Sequence, residues 1–250
     1  MHSCLRESAN APVRGVRVWT AHLDSLSPKK VEELLALLNP SERARAGQFH
    51  FERDRRHYVT ARGLLRELLG AALRESPSTL VFEYGVRGKP ALAGEQASPL
   101  CFNLSHSAGW AMFVLAQNRQ VGIDLESAAR LDQDEGDLTR LAARVLSARE
   151  LAIWKTLPDS AARRTAFLRA WTRKEAYAKA TGRGVFETLA GLEVILDAVA
   201  PETSLTLASG WFLHDLEAPE GFAAAVAVEQ KSEENVARGG EVVFAGLDNA

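Results

Sequence analysis

Gly70, Gly109, Trp110 and Val114 are matched in kind 112 positions later by Gly182, Gly221, Phe222 and Val226, so four points along the chain share one register. A single register held over that distance marks two similar halves. It predicts an α/β (α+β) protein whose subdomains pack about a pseudo-twofold axis. The divisions fall at residues 1–117 and 118–232, and residues 233–250 form a peripheral tail with one short apolar run, Val242 to Leu247.

Local patterning fills in each half. The spacing predicts a strand over 16–23 and an amphipathic helix from Pro28 through Val31, Leu34, Leu35 and Leu38, which Asn39-Pro40-Ser41-Glu42 breaks and restarts. Tyr58, Ala61, Leu65, Leu68 and Leu69 recur at helical intervals and predict a long helix over about 42–74, with Gly70 capping or interrupting it. A strand begins at Phe82 to Tyr84. Pro90 fixes its own φ and biases Lys89 towards extended backbone, so Gly85 to Pro90 reads as a turn presenting Arg87 and Lys89 outward. Residues 110–116 read as a strongly apolar strand. The second half repeats the outline with helices near 137–157 and 160–181 and strands near 192–196, 204–214 and 222–229.

Composition excludes some functions. With 46% hydrophobic and 25% charged residues among 250, the chain can bury a large core. Lys and Arg number 30 against 32 Asp and Glu, which gives no global reason to bind nucleic acid. Arg43, Arg45, Arg53, Arg55, Arg56, Arg62 and Arg66 do crowd one helical stretch, but no base-stacking aromatics are interleaved at the spacing nucleic acid needs. Cys4 and Cys101 form no metal or redox spacing, and Arg6 and Glu7 sit where a secretory signal needs an apolar core. These features predict reduced thiols, a cytoplasmic location and no membrane span.

Three segments carry chemistry: Phe102-Asn-Leu-Ser-His-Ser107, Val121-Gly-Ile-Asp-Leu-Glu126 and Trp171-Thr-Arg-Lys-Glu-Ala-Tyr-Ala-Lys179. On a strand, Asp124 and Glu126 leave the same face, and Gly122 before them allows close approach of another backbone. They read either as metal ligands or as two exposed acids at a strand end. Glu175 and Lys179 share a helix face and on their own read as an ion pair worth a few tenths of a kcal/mol. Glu175, however, lies one turn beyond Trp171 on the apolar seam. If strand and helix meet, three carboxylates can hold a hard cation through oxygen while Lys179 and His106 hold phosphate. Ser105 and His106 are adjacent on extended chain and point to opposite faces, which argues against a hydrolase nucleophile and base. They read instead as phosphate or ribose ligands from a turn, or as a capping serine and a satisfied histidine.

Gly85-Val-Arg-Gly-Lys-Pro90, the three segments above, and the extension of the last one to Lys179-x-x-Gly-x-Gly184 together resemble the 4'-phosphopantetheinyl transferase superfamily, in its two-domain, surfactin-synthetase-activating type. Pro40 to Phe49 and Phe51-Glu-Arg-Asp54 are similar to the same family, so the resemblance spans about 39–186. It implies Mg2+-dependent transfer of phosphopantetheine from coenzyme A to a serine of an apo acyl or peptidyl carrier protein, releasing adenosine 3',5'-bisphosphate. The first subdomain would take the adenosine and 3'-phosphate, the second the metal and pyrophosphate. Asp124, Glu126 and Glu175 are implied as magnesium ligands, and Asp124, Glu175 and Lys179 as the catalytic set. Coenzyme A would be bound by Arg45, Arg87, Gly88, Lys89, Pro90, Asn103, Ser105 and His106 with Asp124, Glu175 and Lys179. The general base is Glu175, directly or through a metal-bound water, with Glu150 in reserve. Some family members carry lysine where this chain has Glu42. Smaller members assemble the two halves from separate subunits, so a chain containing both is expected to be a monomer.

Two other functions fit the same residues. A magnesium-dependent nucleotide pyrophosphatase would use water as acceptor and turn over without a carrier. A non-catalytic coenzyme A or carrier-binding module would bind without transfer.

Overall fold

The computed structural model describes residues 5–8, 13–86, 88–94, 99–131, 135–184, 192–194, 204–207 and 209–231. Cys4, Arg87, residues 195–196 of an expected strand and the 233–250 tail lie outside them. Ten strands and six α-helices lie among the described residues. The first half contributes β1 (Leu5–Glu7), β2 (Val16–His22), β3 (Phe82–Tyr84), β4 (Pro90–Leu92), β5 (Leu100–Ser107) and β6 (Trp110–Gln117), with α1 (Pro28–Leu37), α2 (Pro40–Ala46) and α3 (Glu52–Leu73). The second contributes β7 (Val121–Ser127), β8 (Ser204–Leu207), β9 (Trp211–Leu216) and β10 (Phe222–Glu229), with α4 (Glu135–Val145), α5 (Ala148–Lys155) and α6 (Ser160–Thr181).

Two antiparallel four-stranded sheets, ordered β1-β2-β6-β5 and β7-β10-β9-β8, form the centre. Their strands are apolar on both faces because both faces are covered. In β6, Met112, Val114 and Ala116 face the opposite sheet, while Ala111, Phe113 and Leu115 face α3. In β10, Ala224, Val226 and Val228 face the opposite sheet, while Ala225 and Ala227 face the helices of the second half. Period-two alternation thus feeds one core between the sheets and one under each long helix. The layers run helix, sheet, sheet, helix.

The halves reuse the same devices. Gly109 and Gly221 both adopt positive φ, +83° and +79°, in the turns that lead into β6 and β10. α2 and α5 both open with a capping box, Asn39 with Glu42 and Ser147 with Glu150. Each capping glutamate is also buried against a cation from the long helix, Glu42 against Arg62 and Arg66, and Glu150 against Lys174.

Several local expectations are corrected. The helix expected over 42–74 is two, because the chain turns between Ala46 and Glu52. Gly70 neither caps nor interrupts α3: it sits inside the helix, which Arg74 closes in the left-handed conformation at φ +58°. A Cβ at position 70 would lie 2.8 Å from Glu75 O, so packing, not capping, demands glycine there. Residues 137–157 likewise divide at Ser147, whose side chain caps α5. The strand expected over 204–214 is a hairpin turning at Gly210, φ +80°.

Candidate active site

The site forms where β5, β7 and α6 converge. β5 and β7 belong to different sheets and are joined by side chains. Asn103 Oδ1 accepts from Ile123 N–H at 3.0 Å, and Ser107 Oγ accepts from Ser127 N–H at 3.2 Å. Ser105 Oγ, between them, donates to Asp124 Oδ1 at 3.0 Å, and Ser107 Oγ donates to Glu126 Oε2 at 3.1 Å. Alternation on β5 sends 103, 105 and 107 towards β7, leaving Leu104 and His106 on the other face. Ser105 and His106 therefore stand on a strand, which corrects the expected turn, and they do point to opposite sides.

Gly122 brings α6 onto β7. A Cβ there would lie 2.2 Å from Ala176 O and 2.3 Å from Ala180 N, so only glycine admits the helix backbone at this distance. The contact sets Glu175 and Lys179, on the neighbouring flank of α6, beside Asp124. Lys179 Nζ donates to Asp124 Oδ1 at 2.7 Å and to Ser105 Oγ at 2.9 Å.

Asp124 is 2% exposed, and its second oxygen, Oδ2, is buried without a hydrogen-bond partner. Burial pushes its pKa up, against the pull of Lys179. Glu175 has no hydrogen bond or ion pair among the described residues. Burial, with the charge of Asp124 adding to it, pushes its pKa up to about 7. Glu126 is engaged by Ser107 and by Arg130, whose Nη1 lies 2.8 Å from Oε2. Among the described residues no three metal-binding side chains stand close enough together to hold an ion as they are placed. The donor chemistry nevertheless suits a hard cation. A buried carboxylate oxygen lacks a partner, and an unpaired carboxylate beside it is held up by mutual repulsion, both of which a divalent cation would relieve.

A groove runs away from these acids. One lobe, about 340 Å³, is lined by Glu175, Lys179 and Arg183, and a second, about 250 Å³, by Arg45, Tyr58, Arg62, Tyr84 and His106. Gly88, Pro90, Asn103 and Leu104 line both lobes, so the two are adjacent. Arg45 lies over the Tyr58 ring at 5.8 Å, and Arg62 over Phe82 at 4.0 Å, which fixes two guanidinium groups along the far lobe. Burial of its ring against the strand and the charge of Lys179 both lower the pKa of His106, although its outer edge is open to the groove. An acidic end and a cationic lobe are the donor chemistry that a divalent ion and a phosphorylated ligand would each require.

Of the residues read from the sequence, Glu175, Lys179, Asn103, His106, Arg45, Gly88, Lys89 and Pro90 line the groove, and Asp124 and Ser105 are buried behind Lys179, which bonds to both. Two roles change. Lys89 does not point outward: its Nζ is turned into the protein onto backbone carbonyls. Glu150 is not a reserve base. It is 3% exposed, is consumed by Lys174 Nζ at 2.7 Å and the Ser147 N–H at 2.8 Å, and lines neither lobe of the groove. Glu150→Gln is expected to lower stability by about 3 kcal/mol or more, because it leaves Lys174 buried without its counter-charge. Denaturant unfolding measures this, and the folded fraction should retain its specific activity. Ser107, Tyr58 and Arg62 were not singled out from the sequence as site residues. The Asn103, Ser105, Ser107 alternation is the available signal for the first; Tyr58 reads as part of the apolar face of its helix and Arg62 as one of the arginine cluster.

Comparison with known proteins places the chain. The family model described as 4'-phosphopantetheinyl transferase superfamily matches residues 120–227, and that described as 4'-phosphopantetheinyl transferase, N-terminal, matches 25–119. The 4'-phosphopantetheinyl transferase HetI of Nostoc sp. strain PCC 7120 is 39% identical over 214 residues, covering 85% of this chain and 87% of that one. The human L-aminoadipate-semialdehyde dehydrogenase-phosphopantetheinyl transferase is 28% identical over 187 residues, covering 72% and 60%. A crystal structure of a holo-(acyl-carrier-protein) synthase from Bacillus anthracis in complex with CoA (3',5'-ADP) aligns with 45% of this chain and 96% of its own at 26% identity; its TM-score, 0.34, is too low to define the fold. The chain belongs to the 4'-phosphopantetheinyl transferase superfamily. No described helix is long and apolar enough to cross a membrane.

Proposed function

We propose that this protein transfers the phosphopantetheine arm of coenzyme A to a serine hydroxyl of an apo acyl or peptidyl carrier protein, with Mg2+ as cofactor, acting as a monomer. The observation that carries this reading is the unpartnered Asp124 Oδ2 beside the unpaired Glu175 at the acidic end of a cationic groove. On this reading the two halves, 1–117 and 118–232, are related by a pseudo-twofold axis and the groove lies along their junction.

Asp124, Glu175 and Glu126 would hold the ion, the last after releasing Arg130. Bound there, Mg2+ would supply positive charge to the pyrophosphate and its leaving group. Lys179 pairs with the pyrophosphate as a point charge, while Arg45, His106 and Arg62 hold the 3'-phosphate end of the nucleotide. The carrier serine oxygen attacks the β-phosphorus, the bond to the bridging anhydride oxygen breaks, and adenosine 3',5'-bisphosphate leaves. Glu175, directly or through a metal-bound water, takes the serine proton. The reading is tested by following adenosine 3',5'-bisphosphate release from coenzyme A with and without apo carrier. Release only with carrier and Mg2+ supports it; release with water alone as acceptor makes the protein a pyrophosphatase.

Glu175 also sets a pH dependence. A carboxyl whose folded pKa of about 7 exceeds its free value of 4.5 holds its proton more tightly in the fold. Stability of EDTA-treated protein is therefore greatest at acid pH with respect to this group, and declines as pH rises from 4.5 through about 7. Mg2+ requires the ionised form, so its affinity should rise over the same interval. Thermal unfolding at pH 5.5 and 7.5, with and without Mg2+, checks both signs, and Glu175→Gln should reduce both, leaving the contribution of Asp124, which burial shifts in the same direction.

A further inference from the structure

We propose that Lys89 is a positioning residue that clamps the β3–β4 hairpin to the second half of the molecule and so sets the width of the groove, and that it is not a phosphate ligand. An ammonium group has three N–H donors. Those of Lys89 are spent on Ala180 O at 2.9 Å, Val121 O at 3.2 Å and Gln120 Oε1 at 3.3 Å. None remains for an anion. The three acceptors lie at the last turn of α6 and at the start of β7, the two elements that carry Lys179, Glu175 and Asp124. A cation is favoured at a helix C-terminus, where carbonyls are left without intrahelical partners.

The clamp acts on the groove because its owner is part of the wall. Gly88, Lys89 and Pro90 line the lobe whose opposite side is Glu175, Lys179 and Arg183. The hairpin is a separate two-stranded sheet, with only β3 and β4 paired, and therefore has no strand continuity with either main sheet. It is tied to the first half by Arg62 Nη2 donating to Tyr84 OH at 2.8 Å and by Phe82 packing on Phe102. Lys89, at the turn end beside Tyr84 and Pro90, ties it across to the second half, at residues distant in sequence by 31, 32 and 91 positions. Two walls contributed by different halves are thus fixed relative to each other before ligand arrives, which reduces the ordering cost of binding.

This inference rests on reading the groove as the coenzyme A site, but its first test does not need activity. Hydrogen exchange is followed in ligand-free protein for wild type, Lys89→Met and Lys89→Arg. In Lys89→Met, amides of residues 82–92 and of the α6 C-terminus should exchange faster by about tenfold, and Lys89→Arg, which retains donors, should restore protection. In transfer assays Lys89→Met should raise the Michaelis constant for coenzyme A about five- to tenfold with kcat within about twofold. Unchanged exchange in ligand-free Lys89→Met together with weakened coenzyme A binding would overturn the clamp and make Lys89 a direct ligand. Should Lys89→Met fail to fold, Gln120→Ala removes one of the three acceptors from the surface. It should speed exchange of the same amides to a smaller extent, and unchanged exchange there would equally overturn the proposal. Wild-type protein that shows the exchange pattern but transfers nothing would leave the clamp standing and refute the proposed reaction.

Discussion

Replacing Asp124 with asparagine is expected to lower transfer at least about a thousandfold while leaving the protein folded. Asparagine keeps the shape and an oxygen able to accept from Ser105 and Lys179, the two groups that hold Asp124 Oδ1. It removes a buried charge whose pKa is already pushed up by burial, so the metal-free fold loses little. Lys179, part-exposed, can turn to water. What disappears is the anionic oxygen that meets the divalent ion. Rate measurements under saturating coenzyme A and carrier, with circular dichroism as the folding control, check the two halves of the expectation. Activity within tenfold of wild type would remove Asp124 from the metal site.

Gly122→Ala is the second large effect, and it arises without touching any charged group. The added methyl would sit 2.2 Å from Ala176 O, inside any allowed contact, and the obstacle is helix backbone that cannot rotate away. α6 must move off β7. Overpacking of this kind costs about 3 kcal/mol, and at the size of this chain each kcal/mol lowers Tm by roughly 2–4 °C, so a fall of roughly 6–12 °C is expected. Because Lys179 reaches Asp124 only through that contact, transfer at temperatures where the variant is folded should also fall, by about tenfold or more. Calorimetry and a transfer assay at low temperature separate the two effects. Unchanged Tm and activity would mean that α6 is not held where it is described.

Much of this was legible in the sequence where pattern and chemistry coincide. Val121-Gly-Ile-Asp-Leu-Glu126 alternates apolar and polar positions, so its burial, its two-acid face and the need for glycine followed from the pleat alone. The 22-residue α6 matches the helix expected over 160–181, and the structure adds its capping aspartate, Asp159, before it and the left-handed Gly182 after it. What could not be read depends on partners distant in sequence. Glu42 reads as an acid at a helix start and Glu150 as a reserve base inside one long helix; only the folded packing shows them buried against Arg62, Arg66 and Lys174. Lys89 is the sharpest case. A lysine between two turn residues reads as exposed, and its partners at Val121 and Ala180 are set by how β7 and α6 pack against the hairpin. The break between α2 and α3 was missed for a local reason: apolar spacing continues through Phe49 and Phe51, although both side chains remain exposed.

The central claim is that the acidic end of the groove drives metal-dependent transfer of phosphopantetheine to a protein serine. It is tested most directly by the intact mass of an apo carrier protein after incubation with this protein, coenzyme A and Mg2+, beside an EDTA control. The account predicts a mass gain of one phosphopantetheine arm, on the carrier serine, present with Mg2+ and absent with EDTA. No gain on acyl and peptidyl carriers alike, with coenzyme A still bound in the groove, would contradict it and define a binding module in place of an enzyme.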